Sequence, residues 1–301
     1  MSSGCASLDV APDLFDVPEL ADVPFYPQTD FDCGPAALAT ILNTAGVPVT
    51  PAELLDAVYV EGLQGSLQVE LLGATRRYEL LPIPITPDPL SLLTEVSSGR
   101  PVLVLQNLRL TRAPMWHYAV VVGYSAERAS FVLRSGDQQR RMERASRFLR
   151  SWHLADYWGF VAVAPGEIPT STTPDIYMRA LVGSAGQLDM SGTEHAYAAA
   201  LERWPNDSLV LFLTASWEQA RANLEAAAKL YRRLIELEPE HAAARNNLAN
   251  VLLAQGCRDE ALREAQLALG LQSPNDGFYS AIAGTIREIE ASPVHGVLPC
   301  S

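Results

Sequence analysis

Apolar and polar positions change their rhythm along the chain. Gly34-Pro35 opens an Ala- and Leu-rich stretch that continues to Asn43 and stops near Gly46, which predicts a helix with proline in its first turn and glycine beyond its end. Thr50-Pro51-Ala52-Glu53 predicts a second helix, because threonine can cap, proline fits the first turn and glutamate three residues on completes a capping box. Valine-rich runs bounded by Gly or Ser follow at 101–106, 117–123, 130–133 and 159–164 and predict strands. Helices first and strands after give an α+β layout. The run Pro165-Gly166-Glu167-Ile168-Pro169-Thr170-Ser171-Thr172-Thr173-Pro174 suits neither a helix nor a central strand and reads as a linker. Beyond Thr173 the pattern is helical almost throughout.

That helical part repeats. Pro205 and Pro239 stand one 34-residue period apart, each closing a similar phrase: Tyr197-Ala-Ala-Ala200-Leu201 before the first, Tyr231-Arg-Arg-Leu234-Ile235 before the second. A third copy, Ala265-Gln-Leu-Ala268-Leu269 followed by Pro274, is slightly offset and is preceded by Asn247-Leu248-Ala249 and Gly256-Cys-Arg-Asp-Glu260-Ala261-Leu262. Small alanines where two helices cross and a proline ending the second helix resemble the tetratricopeptide repeat. The resemblance implies an all-α solenoid of about three helix pairs that holds a partner protein. The organisation expected is a tether at 1–22, an α+β domain at 23–164, a linker at 165–174, a repeat domain at 175–290 and a tail at 291–301.

Composition narrows the classes. The 301 residues exceed what one core usually serves, and 48% hydrophobic with 19% charged residues is the balance of a folded protein. A formal charge of −13 leaves no basic footprint for phosphate backbones, so nucleic acid is not an expected partner. No apolar stretch is long enough to span a bilayer. Ser2-Ser3-Gly4-Cys5-Ala6-Ser7 is similar to the cleavage box of bacterial lipoproteins, although the charged and apolar parts of such a signal do not precede it. A lipid on Cys5 would be the route to a membrane, placing the protein in the cell envelope; without it the expectation is cytoplasmic. Cys5, Cys33, Cys257 and Cys300 form no close-spaced metal pattern, and a bridge between Cys257 and Cys300 is the pairing left open.

The sharpest local signal is Pro27-Gln28-Thr29-Asp30-Phe31-Asp32-Cys33-Gly34-Pro35-Ala36-Ala37-Leu38. Cys33 falls at a helix N-terminus, where unpaired N–H groups and a partial positive charge stabilise a thiolate and are expected to lower the thiol's pKa. Gly34 leaves room for a substrate backbone, and Gln28 is placed to donate its amide to a developing oxyanion. Asp30 and Asp32 read as capping or solvated residues, since an adjacent carboxylate opposes thiolate formation. A base is required, and His117 opens His117-Tyr-Ala-Val-Val-Val-Gly123 at a strand's rim. His153 lies in a predicted helix, while His195, His241 and His295 belong to the second domain or its tail. Asp137, in Ser135-Gly136-Asp137 after a strand, is the candidate to orient the imidazole, although a turn alone also explains it.

Gln28, Asp32-Cys33-Gly34-Pro35, His117-Tyr118 and Gly136-Asp137, in that order, resemble the C39 and C39-like cysteine peptidases, a papain-like branch. The resemblance covers roughly 23–164. It implies an α+β papain-like fold in which Cys33 attacks a peptide carbonyl, His117 shuttles the proton, Asp137 orients it and Gln28 supplies the oxyanion hole, with a protein or peptide substrate and without metal or cofactor. Well-known C39 domains sit on transporters and trim leaders, but no transmembrane or P-loop pattern accompanies this one, so leader processing is not expected. Two other readings start from the same residues: acyl transfer to an amine through the same thiol, and an inactive peptidase-like scaffold or assembly factor acting through its repeats.

Overall fold

A computed structural model describes residues 14–28, 32–60, 62 and 65–293. Helix α1 (Cys33–Thr44) is buried at every position from Gly34 to Leu42, so it is a central helix rather than a surface one. Its Ala-rich sequence allows strands and loops to approach on all sides. Helix α2 (Pro51–Val58) starts with the capping box expected at Thr50: Glu53 N–H donates to Thr50 Oγ1 at 3.3 Å, and Thr50 N–H donates to Glu53 Oε2 at 2.7 Å. A two-stranded ribbon, β1 (Tyr59–Val60) with β2 (Gly65–Ser66), leads into α3 (Gln68–Arg77).

The remaining strands are β3 (Leu81–Pro84), β4 (Val102–Asn107), β5 (Trp116–Ser125), β6 (Ser130–Ser135), β7 (Gln138–Arg144) and β8 (Gly159–Val163). They form one antiparallel sheet in the order β3-β8-β4-β5-β6-β7. The four valine-rich runs are β4, β5, β6 and β8, the interior of the sheet. The two strands that the sequence pattern does not reveal lie at the edges: β3 carries Pro82 and Pro84, and β7 reads Gln-Gln-Arg-Arg-Met-Glu-Arg. Edge positions tolerate both, because one side of the ladder need not pair.

Side-chain alternation then sorts the two faces. Tyr118, Val120 and Val122 of β5 pack with Leu103, Leu105 and Val132 against Leu38, Ile41 and Leu42 of α1. The other face meets α5 (Ala145–His153), where Phe131 stacks on Phe148 with ring centroids 4.2 Å apart and Phe148 continues to Trp152. Helix α4 (Pro89–Ser97) completes this unit's early part, capped by Asp88.

The chain divides into two compact units between Ala196 and Tyr197, inside α7 (Met190–Arg203). Residues 165–174, expected as a linker, are bonded into the first unit, as is α6 (Pro174–Val182) by the division. Arg100 donates to Glu167 and Thr170, and the N–H of Ser171 donates to the buried carboxylate of Glu95. The second unit contains α8 (Ser208–Ala220), α9 (Leu224–Leu237), α10 (Ala242–Ala254), α11 (Arg258–Gly270) and α12 (Gly277–Ala291). Its core is made of small residues at the crossings, Ala227, Ala228, Ala244, Ala249, Ala261 and Ala265, around Tyr231 and Leu248. Pro205, Pro239 and Pro274 each follow the end of a helix, namely α7, α9 and α11. Cys257 is disulfide-bonded; Cys300 lies outside the described residues.

Candidate active site

Cys33 is the first residue of α1, half-buried, and the one free cysteine among the described residues. A helix's first turn leaves N–H groups without intrahelical partners. Here the N–H groups of Tyr118, Gly34 and Cys33 itself all hydrogen-bond toward the sulfur, a cradle for negative charge. Burial acts in the opposite sense and is the larger effect; with the Asp32 carboxylate adding to it, the thiol is pushed above its ordinary value. The expectation of a lowered thiol pKa is thereby corrected: the helix end donates as anticipated, but desolvation outweighs it. Asp32 sits at the N-cap position without a side-chain capping bond.

Gly34 also differs from expectation. A Cβ placed there would meet Ser66 Oγ at 2.3 Å and Ser66 Cβ at 2.6 Å, so the space beside Gly34 belongs to β2 rather than to a substrate. Tyr118 closes the same corner, its hydroxyl donating to the Ser66 carbonyl at 3.1 Å.

Gln28 is strapped to the backbone around it. Its N–H donates to Gly136 O at 2.8 Å and its Oε1 accepts from Gly136 N–H at 2.7 Å. Its Nε2 reaches Tyr118 O at 3.3 Å and Cys33 O at 3.4 Å. The amide therefore lies beside the nucleophile, and it must exchange one of these two long bonds to bind an oxyanion.

His117 is the second residue of β5, paired across the sheet with Gln106. Its Nε2 lies 2.8 Å from Ser135 Oγ. Burial, with a smaller contribution from the nearby Arg141 charge, lowers its pKa to about 4, so the imidazole is neutral over the physiological range. A tautomer with the proton on Nε2 donates to Ser135 and leaves the Nδ1 lone pair to act as base. No hydrogen bond joins His117 to Cys33 among the described residues: His117 leaves β5 on the face of Ser135 and α5, whereas the next residue, Tyr118, turns to the face of α1 and Cys33, so the imidazole has to reach round the start of β5 to meet the thiol.

Asp137, the expected orienting residue, is exposed and has no side-chain partner among the described residues. Gly136 and Asp137 form a two-residue hairpin turn, with Ser135 paired to Gln138 and Gly136 at φ +64°, the pattern of a tight turn that takes glycine first. The turn carries Asp137 away, and alternation from Phe131 and Leu133 points Ser135 to the face that His117 shares. The structure thus brings Ser135, a residue the sequence reading passed over, to the place assigned to Asp137. Counting in steps of two along β6 would have found it; the search for a carboxylate did not. Cys5 lies outside the described residues, and no group of metal-ligating side chains occurs among those described.

Comparison with known proteins agrees with this layout. Residues 20–158 match the Peptidase_C39 like family, and residues 230–263 match a tetratricopeptide repeat. Among solved structures, one described as a C39-like peptidase from Bacillus anthracis aligns with a TM-score of 0.42 at 17% identity, over 52% of this chain and 100% of that one. An O-GlcNAc transferase from Thermobaculum terrenum aligns with a TM-score of 0.34 at 26% identity, over 40% of this chain and 23% of that one. No curated protein matches the chain. The first unit is a mixed α+β domain that matches the C39-like peptidase family model over residues 20–158. The chain as a whole joins that domain to a helical region with a tetratricopeptide repeat.

Proposed function

We propose that the first unit hydrolyses peptide bonds through Cys33 and that the repeats hold the protein acted upon. The observation that carries the reading is the Gln28 amide, whose Nε2 donates to both Cys33 O at 3.4 Å and Tyr118 O at 3.3 Å and so ties the start of α1 to the residue next to His117. The site starts as a neutral thiol and a neutral imidazole. As the sulfur attacks a peptide carbonyl, Nδ1 of His117 takes the thiol proton. The imidazolium then gives that proton to the departing amine, leaving a thioester on Cys33; water, deprotonated by the same imidazole, attacks the thioester and returns the thiol. Gln28 Nε2 donates to the oxyanion after leaving a backbone carbonyl. If an amine replaces water in the second half, the same site performs acyl transfer.

A second reading, a peptidase-like scaffold, draws support from the same geometry: a hydroxyl stands where a carboxylate would stabilise an imidazolium, and the thiol is pushed up rather than down. A mixture of quenched fluorescent peptides separates the two. Hydrolysis by the full chain that disappears in both Cys33→Ala and His117→Ala supports the peptidase. Cleavage that survives Cys33→Ala, or none at all, rejects it in favour of the scaffold.

A further inference from the structure

Gln106 and His117 are directly opposed on β4 and β5, so their side chains leave the sheet on the same face. Gln106 is buried and its Nε2 donates to Ser151 Oγ of α5 at 2.8 Å. Ser151 in turn lines a cavity of about 480 Å³ together with Asn107, Arg109, Arg147, Arg150 and Leu154. The cavity therefore opens on the side of the sheet from which His117 projects, one hydrogen-bonded pair away from it.

Three arginines and no carboxylate line the cavity, in a chain whose carboxylates outnumber Lys and Arg by 35 to 22. Arg147 is paired, with Glu143 at 3.4 Å. The guanidinium groups of Arg109 and Arg150 have no carboxylate partner among the described residues. The apolar part of the lining is Leu108, Leu110, Ala113 and Leu154, with Leu110 65% exposed. Unpaired guanidinium groups over an apolar floor complement an extended segment that carries carboxylates and aliphatic side chains together.

We propose that this cavity is a subsite for an acidic, Leu-like peptide segment, read by Arg109 and Arg150. The assignment rests on the peptidase reading for its purpose but not for its test. The full chain bearing Cys33→Ala, which cannot turn substrate over, is titrated into fluorescein-labelled peptides of alternating Leu and Glu, Leu and Gln, or Leu and Lys, all amidated at the C-terminus so that only side chains supply charge. The Glu peptide is expected to bind about tenfold more tightly than the Gln peptide and to weaken with salt, the scale of two exposed ion pairs. Arg109→Ala with Arg150→Ala abolishes that preference, while lysine at both positions keeps most of it. Equal binding of the Glu and Gln peptides, no binding of the Glu peptide, or a preference that survives the double alanine variant overturns the subsite. Failure of the peptidase reading shows elsewhere, as a Cys33 that never acylates while the Glu preference persists.

Discussion

Ser135→Asp would place a carboxylate against His117 Nε2, where a hydroxyl now lies at 2.8 Å. Two unit charges about 4 Å apart attract by about 4 kcal/mol at an effective dielectric of about 20. Ser135 is 1% exposed, so desolvation of the new carboxylate offsets roughly half, leaving about 2 kcal/mol. At 1.36 kcal/mol per pKa unit this raises His117 by about 1.5 units, from about 4 to about 5.5. The direction follows from sign alone, because an anion favours the imidazolium. The assay is an NMR titration of the His117 ring resonance, assigned by its loss in His117→Asn. Ser135→Ala, which removes the hydrogen bond without adding charge, should leave His117 within about half a unit of wild type. An unshifted or lowered His117 in Ser135→Asp would refute the contact, and with it the replacement of Asp137 by Ser135.

Two further outcomes follow from the packing. Gly34→Ala drives a methyl group into Ser66 and should cost about 1–3 kcal/mol in urea unfolding, and Ser66→Gly in the same chain should recover most of that; an additive double mutant would show that the two residues do not meet. His117 binds its proton near pH 4 when folded and near pH 6.5 when unfolded, so between those values the unfolded chain holds the extra proton. Stability attributable to this residue therefore falls as the pH drops from about 6.5 to about 4, by at most about 3 kcal/mol, and is level below that. The difference in unfolding free energy between wild type and His117→Asn should follow this curve, and a pH-independent difference would count against a buried neutral imidazole.

The interior of the first unit is legible in the sequence because its signals are apolar. The run from Ala36 to Leu42 and the valine clusters of β4, β5, β6 and β8 declare burial directly, and Thr50 with Glu53 declares a cap. The edges are not legible: β3 is interrupted by two prolines, and β7 has the charge pattern of a solvated surface because it is one. In the candidate site, residue type and spacing single out Gln28, Cys33 and His117; the structure sets Gln28 beside Cys33 and His117 against Ser135. The state of the thiol could not be read this way, since desolvation depends on the packing around the start of α1, where Ser66 closes over the neighbouring Gly34 from a two-residue strand that carries no pattern. Ser135 was hidden for another reason. A hydroxyl looks chemically bland, and only the alternation of β6 and the tight turn at Gly136 show that it, and not the nearby aspartate, faces His117. The proline spacing of the second unit carried the repeat because it marks helix ends, which are set by local chemistry.

The acylation of Cys33 by a peptidyl ester, followed by intact mass as a function of pH in wild type and His117→Ala, tests the account most directly. The account predicts a wild-type rate that rises through about pH 4, as His117 loses its proton and becomes a base, and a His117→Ala rate lower by about 100-fold with no such rise. Identical profiles in the two proteins, or no acylation of Cys33 at any pH, would contradict it.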